Sequence, residues 1–257
     1  MQEYGGLKYT DDRHDARWLA HLLRLGILPQ GYIYPKHERA LRDLLRKRAQ
    51  LVRQRTAQLL SIQNLLARNT GRCVSGNEVK RLDADTLETL LPMPDQALAA
   101  SANLAVMQTL GAQIERLERA VKARLKPRPA LTRLKSVAGV GDILGPTILL
   151  ETGDPARFAR VGHYASYCRC VASRRISNGK KKGENNRKNG NKYLAWAFVE
   201  AANFAVRYHD RVKRFCQRKQ AKTNGVIARK AVAHKLARAS YYVMRDGVPF
   251  DINKAFG

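Results

Sequence analysis

Ser177 is the one serine in RRISNGKKKGENNRKNGNK (residues 174–192), a segment that holds eight Lys/Arg and a single acid, Glu184. Its glycines and Asn-Gly steps let the backbone bend closely around another polymer. A hydroxyl in that setting can contact a phosphate, or attack one. The groups that could hold a polyanion beside it are Arg174, Arg175, Lys180, Lys181, Lys182, Arg187, Lys188 and Lys192, together with Asn191. The same residues also describe a solvated basic hairpin loop.

A second set with chemical potential lies near the start. Asp12 and Asp15 are three apart, so on a helix they share a face and could bind one divalent cation; Asp11 is an alternative partner for Asp15. Acids that cap a helix N-terminus and favour its dipole would read the same way. Two-metal phosphoryl chemistry draws three or four carboxylates from several elements. The remaining acids, such as Asp83, Asp85, Glu88, Glu115, Glu118, Glu151 and Asp154, read as exposed helical faces or as part of a turn, which leaves half of a metal site.

These groups sit in a strongly basic chain of 257 residues with formal net charge +27. Nine Lys/Arg fall within 36–68, eight within 174–192 and eleven within 209–245. Basic charge spread over folded-looking segments, rather than gathered in a tail, points to a long nucleic-acid track. No lipidation signal, membrane-length apolar run or signal-peptide core is legible, so a membrane partner is not expected and a cytoplasmic site is. Cys168 and Cys170 are too close for an ordinary zinc clamp, and the four cysteines read as reduced thiols.

The elements that must position the chemistry are helical. Thr10 can cap a helix through DDRHDARWLAHLLRL that stops at Gly26. Pro35 opens a long helix to about Asn69, a short one follows near 83–91, and another long one runs over roughly 95–125. Two long helices with a compact connection read as an antiparallel coiled-coil hairpin or as two members of an ordinary bundle. Pro127 and Pro129 mark a boundary. Residues 134–154 then read as a short helix, a tight turn at Gly139 and Gly141, and a second helix interrupted by Pro146. That is a helix-hairpin-helix offering N–H groups to a phosphate, or a plain αα-turn. Helices near 192–207, 209–221 and 226–245 complete a mainly α chain.

Three motifs in order, TDDRHDA (10–16), SVAGVGDILGPTILLETGD (136–154) and ISNGKKKG…KNGNKYL (176–194), resemble the IS one-ten family of insertion-sequence transposases. These are DEDD-type, bridge-RNA-guided recombinases with a RuvC-like domain, a coiled-coil insertion and a C-terminal Transposase-20 domain. The resemblance implies that residues 1–30 are the C-terminal remnant of the RuvC-like α/β domain, 31–126 the coiled-coil hairpin and 127–257 the helical Transposase-20 domain. It implies that Asp12 and Asp15 are the last two metal-binding acids, that Ser177 is the nucleophile, and that Gly139 and Gly141 form the hairpin turn. Mg2+, DNA, a structured guide RNA and a homodimer or homotetramer in the prokaryotic cytosol follow as expectations. The family's first Asp and its Glu sit on RuvC-like strands that these residues do not include, so an N-terminally truncated copy or a late start is expected. The leading expectation is a DNA transposase that cuts and rejoins strands; the alternative is a non-catalytic nucleic-acid-binding protein using its basic helices and loop.

Overall fold

The computed structural model describes residues 11–28, 31–125, 128–171, 174–184 and 189–257. The chain divides into two units, residues 1–35 and Lys36–Gly257. In the first, helix α1 spans Asp12–Arg24, and Asp11 caps it by accepting from His14 N at 2.8 Å. The expected cap, Thr10, lies outside the described residues. Asp12 and Asp15 fall in the first turn, where carboxylates oppose the positive end of the dipole, and Gly26 ends the element with φ +70°.

The second unit begins with α2 (Lys36–Thr70), followed by the short helices α3 (Gly76–Val79) and α4 (Ala84–Leu90), and then α5 (Pro94–Leu125). Contacts between α2 and α5 pair Arg48 with Glu118 and Ser61 with Asn103, so one helix is descended as the other is climbed. The pair is an antiparallel helical hairpin. Its far end has a core of its own, where Ile62 and Leu66 meet Val79, Leu87, Ala100 and Leu104. There Ser75 and Glu78 form the reciprocal capping box that starts α3, a four-residue helix too short for periodicity to announce. Along the middle, Leu51, Val52 and Leu59 remain only half buried, because two helices alone cannot surround a side chain. At the near end Leu41, Leu45, Val121 and Leu125 join Leu131 and Leu150 of the next elements in one cluster. The hairpin and the C-terminal helices are therefore parts of one compact unit.

The C-terminal helices are α6 (Pro129–Leu134), α7 (Leu144–Thr152), α8 (Val161–Tyr167), α9 (Lys192–Tyr208), α10 (Asp210–Lys222), α11 (Gly225–Asp246) and α12 (Ile252–Phe256). Pro146 does not interrupt α7. It sits in the first turn, where no intrahelical partner for an N–H is lost. The core closes around Tyr164, whose ring meets Phe158, Phe198 and Tyr241 at 5.2, 6.3 and 5.6 Å. Its hydroxyl lies 2.9 Å from Thr152 Oγ1, so the buried polar atom is satisfied. Alanines at 197, 201, 202 and 205 of α9 are fully buried and keep that face small enough for neighbouring elements to approach closely.

The segment expected as a basic loop contains strands. β1 (Arg174–Ser177) pairs antiparallel with β2 (Lys180–Glu184), with Ser177 opposite Lys180 and an irregularity between Arg175 and Ile176. Alternation of apolar and polar residues, the usual strand signal, is absent because β2 reads Lys-Lys-Lys-Gly-Glu and has no apolar side chain.

Candidate serine hairpin and nucleic-acid interface

Two residues, Asn178 and Gly179, connect β1 to β2, and both have positive φ, +51° and +70°. That is the type I′ geometry whose twist matches a two-residue hairpin, and Asn-Gly is the pair that adopts it most easily. Ser177 is therefore the last strand residue before the turn. Arg174, Arg175, Lys180, Lys181 and Lys182 lie on the two strands, with Lys180 and Lys182 exposed. Arg187 and Lys188 lie outside the described residues. Lys192 opens α9, exposed, with its ammonium 5.3 Å from the Tyr193 ring.

The chain re-enters the helical body through a tightly specified joint. Gly190 has φ +80°, and a Cβ there would stand 2.6 Å from the Tyr167 carbonyl oxygen. Arg169, itself at φ +57°, donates from Nε to Asn189 O at 2.8 Å and from its terminal nitrogen to Gly190 O at 3.2 Å. Asn191 N donates to Tyr167 O at 2.7 Å.

The Asn191 side chain is buried and fully used. Its Oδ1 caps α9 by accepting from Tyr193 N and Leu194 N at 2.8 and 3.1 Å. Its amide donates to Glu151 Oε2 at 2.7 Å. Glu151 in turn takes both Nε and a terminal nitrogen of Arg46 at 2.7 and 2.8 Å. The Arg46 guanidinium also lies 4.6 Å over the Tyr193 ring, and its hydrogen bonds to Glu151 hold its pKa above the usual arginine value. This knot joins α2, α7 and the start of α9. Glu151 is only 4% exposed, so the expectation that it occupies an exposed helical face is corrected. A carboxylate at that position is retained because two donors satisfy it. The sequence gives little warning: Glu151 follows two leucines, and its partner is 105 residues away.

The expected hairpin turn, between α6 and α7, has two unlike glycines. Gly139 has φ +78°, and a Cβ would lie 2.1 Å from Ala201 O, so its requirement for glycine comes from the close approach of α9. Gly141 is exposed, with nothing within 4 Å of an added Cβ. Lys135 and Asp142 pair across this turn, and that contact holds the Asp142 carboxyl below its ordinary pKa.

Asp12 and Asp15 belong to the other unit. Their oxygens are hard donors suited to Mg2+, but both come from one helical turn, and Asp12 is exposed. Among the described residues no group of three or more His, Cys, Asp or Glu is placed to hold a metal ion. The two acids do not amount to a divalent-cation site, and no chemical step is derived through one. The four cysteines are unpaired; Cys73 is exposed and the other three are buried. No helix among the described residues is long and apolar enough to cross a membrane.

Helix α9 also carries an exposed aromatic edge: Trp196, Phe204 and Tyr208 are 39, 46 and 66% exposed. The spacing in multiples of four, read together with the buried alanines of the opposite face, is the signal that could have revealed it.

Residues 131–217, which run from α6 into α10 and include the basic hairpin, match the Transposase IS116/IS110/IS902 family. A curated protein of Pseudomonas aeruginosa, a probable family 20 transposase, is 27% identical over 213 residues, covering 76% of this chain and 60% of that protein. The similarity to the IS116/IS110/IS902 transposase family is carried by residues 131–217 of this chain. The chain spans 60% of the length of the curated relative it matches.

Proposed function

We propose that this protein takes part in DNA transposition, with Ser177 as the nucleophile that joins protein to DNA. The observation that carries the reading is the position of Ser177 at the end of a strongly basic hairpin, immediately before its turn, inside the segment matched to the transposase family. In the step we envisage, the Ser177 oxygen forms a bond to a backbone phosphorus as one sugar oxygen leaves with a proton. A serine hydroxyl attacks slowly unless its own proton is removed, so a base must accompany it. The hairpin cations would hold the phosphate and offset its charge as the bond forms. Arg46, Glu151 and Asn191 would position rather than react, since all three are committed to fixing the root of the hairpin.

The proposal extends to guidance by a structured RNA and to the pairing of protomers. The test incubates the protein with element-end DNA, guide RNA and magnesium. Protein–DNA adduct is then scored on a denaturing gel. Ser177→Ala is expected to abolish the adduct while sparing DNA binding. An unchanged adduct in that variant, lost instead with Ser173→Ala, would move the nucleophile to Ser173, which lies outside the described residues.

A second reading, a nucleic-acid-binding protein without chemistry, is favoured by the two-carboxylate set of α1. It predicts binding with steep salt dependence and no strand cleavage under any of these conditions.

A further inference from the structure

Helix α9 leaves one edge uncovered. Phe204 and Tyr208 stack there with ring planes 10° apart and centroids 6.5 Å apart, and the Arg207 guanidinium lies 5.4 Å over Tyr208. Trp196 and Phe204 face a groove of about 730 Å3 whose other walls are the Lys135–Leu144 turn and Arg48 and Val52 of α2. Glu200 stands between the two aromatics on the same edge, lines the groove, and makes no ion pair with any described residue. At the rim, Arg48 is held by Glu118 at 2.7 Å and Lys135 by Asp142 across the turn. His209 also lines the groove. The volume is within the range that encloses a small planar ligand.

Aromatic faces bordered by guanidinium and ammonium groups, on a chain with 48 Lys/Arg against 21 Asp/Glu, match the chemistry of a nucleic-acid strand. The flat rings suit bases, but a base still paired and stacked in a duplex has no free face to offer. We propose that this groove takes unpaired nucleobases of a single strand, stacked on Trp196 and Phe204, with Glu200 accepting from an exocyclic amino group. Thymine and uracil lack that group, so adenine, cytosine or guanine is preferred over them. The backbone phosphates run toward Arg207 and Arg48. The site rests on the reading of the chain as a nucleic-acid protein, but not on any chemistry at Ser177.

The chain contains two tryptophans, so Trp18→Phe leaves Trp196 as the single reporter. In that background, oligonucleotides of about 12 nucleotides, single-stranded DNA, single-stranded RNA and a DNA duplex, are titrated while Trp196 emission is followed. Single strands containing A, C or G are expected to quench it, oligo-dT less so, and the duplex not at all. Phe204→Ala and Tyr208→Ala, both at exposed positions that tolerate truncation, are expected to weaken single-strand binding about tenfold each while leaving duplex affinity unchanged. Glu200→Gln is expected to erase the discrimination against oligo-dT. Tighter binding of RNA than of DNA of the same sequence identifies RNA as the source of the bases, and the reverse identifies DNA; both support the site. Equal affinity of the variants and the parent for single strands overturns it. So does Trp196 emission that shifts with protein concentration alone, which would mean a second copy covers the groove. Single strands that bind without quenching Trp196 sink only the groove, whereas failure to bind any nucleic acid sinks the functional reading too.

Discussion

At the tip of the basic hairpin a Cβ added to Gly179 would meet nothing within 4 Å, whereas at its root a Cβ on Gly190 would stand 2.6 Å from the Tyr167 carbonyl. The tip is shaped by turn chemistry alone, two residues of positive φ between cationic strands. The root is shaped by packing and by a chain of hydrogen bonds that runs from Arg46 through Glu151 to Asn191. A two-stranded hairpin has little stability of its own. Its direction must come from where it is fastened. The difference suggests a division of labour in which the root sets where Ser177 is presented and the open tip leaves room for a polymer.

The strongest way to break this comparison is to cut the knot. Glu151→Ala leaves the Arg46 guanidinium and the Asn191 amide without their acceptor. Removing one partner of a buried pair costs about 3–5 kcal/mol, and Arg46 keeps a third of its side chain in water, so about 3 kcal/mol is expected. Urea unfolding of the intact chain reads this directly. A loss below about 1 kcal/mol would show that the root does not depend on Glu151.

Alanine at the two glycines sharpens the same contrast. Gly190→Ala combines a left-handed backbone with a collision against backbone atoms, and an expected cost of about 3 kcal/mol. Gly179→Ala meets only the backbone penalty, about 1 kcal/mol. Equal costs would mean that tip and root are specified alike. In DNA-adduct assays Gly190→Ala is expected to reduce yield through misplacement of the hairpin, even at temperatures where the chain remains folded.

The long helices were legible because their signals are local: Pro35, Gly71 and the heptad-like leucines bound α2, and Asp11 to Gly26 bound α1 within a residue or two. The serine segment was legible as chemistry but not as geometry, since Asn178-Gly179 announces a hairpin while Lys180, Lys181 and Lys182 hide the strand. The short helices α3, α8 and α12 carry too few residues for periodicity to register. Glu151 was misplaced for a different reason. Whether a carboxylate at the end of an apolar helix is exposed or buried depends on a partner, Arg46, brought in by the tertiary fold. Likewise Gly139 offers the same sequence signal whether glycine is needed for a phosphate or for the Ala201 carbonyl beside it.

The smallest expected effect tests whether the root is closed to solvent. Cys170 precedes β1, is buried, and donates to Cys168 O at 3.4 Å; burial pushes its thiol pKa up to about 12, against the opposing influence of Lys230. In the unfolded chain the same thiol ionises near pH 8.5. Above that pH the unfolded state releases a proton that the folded state still holds, so stability falls as pH rises from about 8.5 toward 12. Cys170→Ala is expected to make that decline shallower, measured by urea midpoints across the alkaline range; identical slopes would show that Cys170 is not shielded in the folded chain. Thiol labelling gives the kinetic counterpart. Exposed Cys73 should react at once, while Cys170 should react only as fast as the root opens. If Glu151→Ala accelerates labelling of Cys170 and leaves Cys73 unchanged, the knot is what keeps the root shut. If both rates are unaltered, the joint at Gly190 holds the hairpin without it.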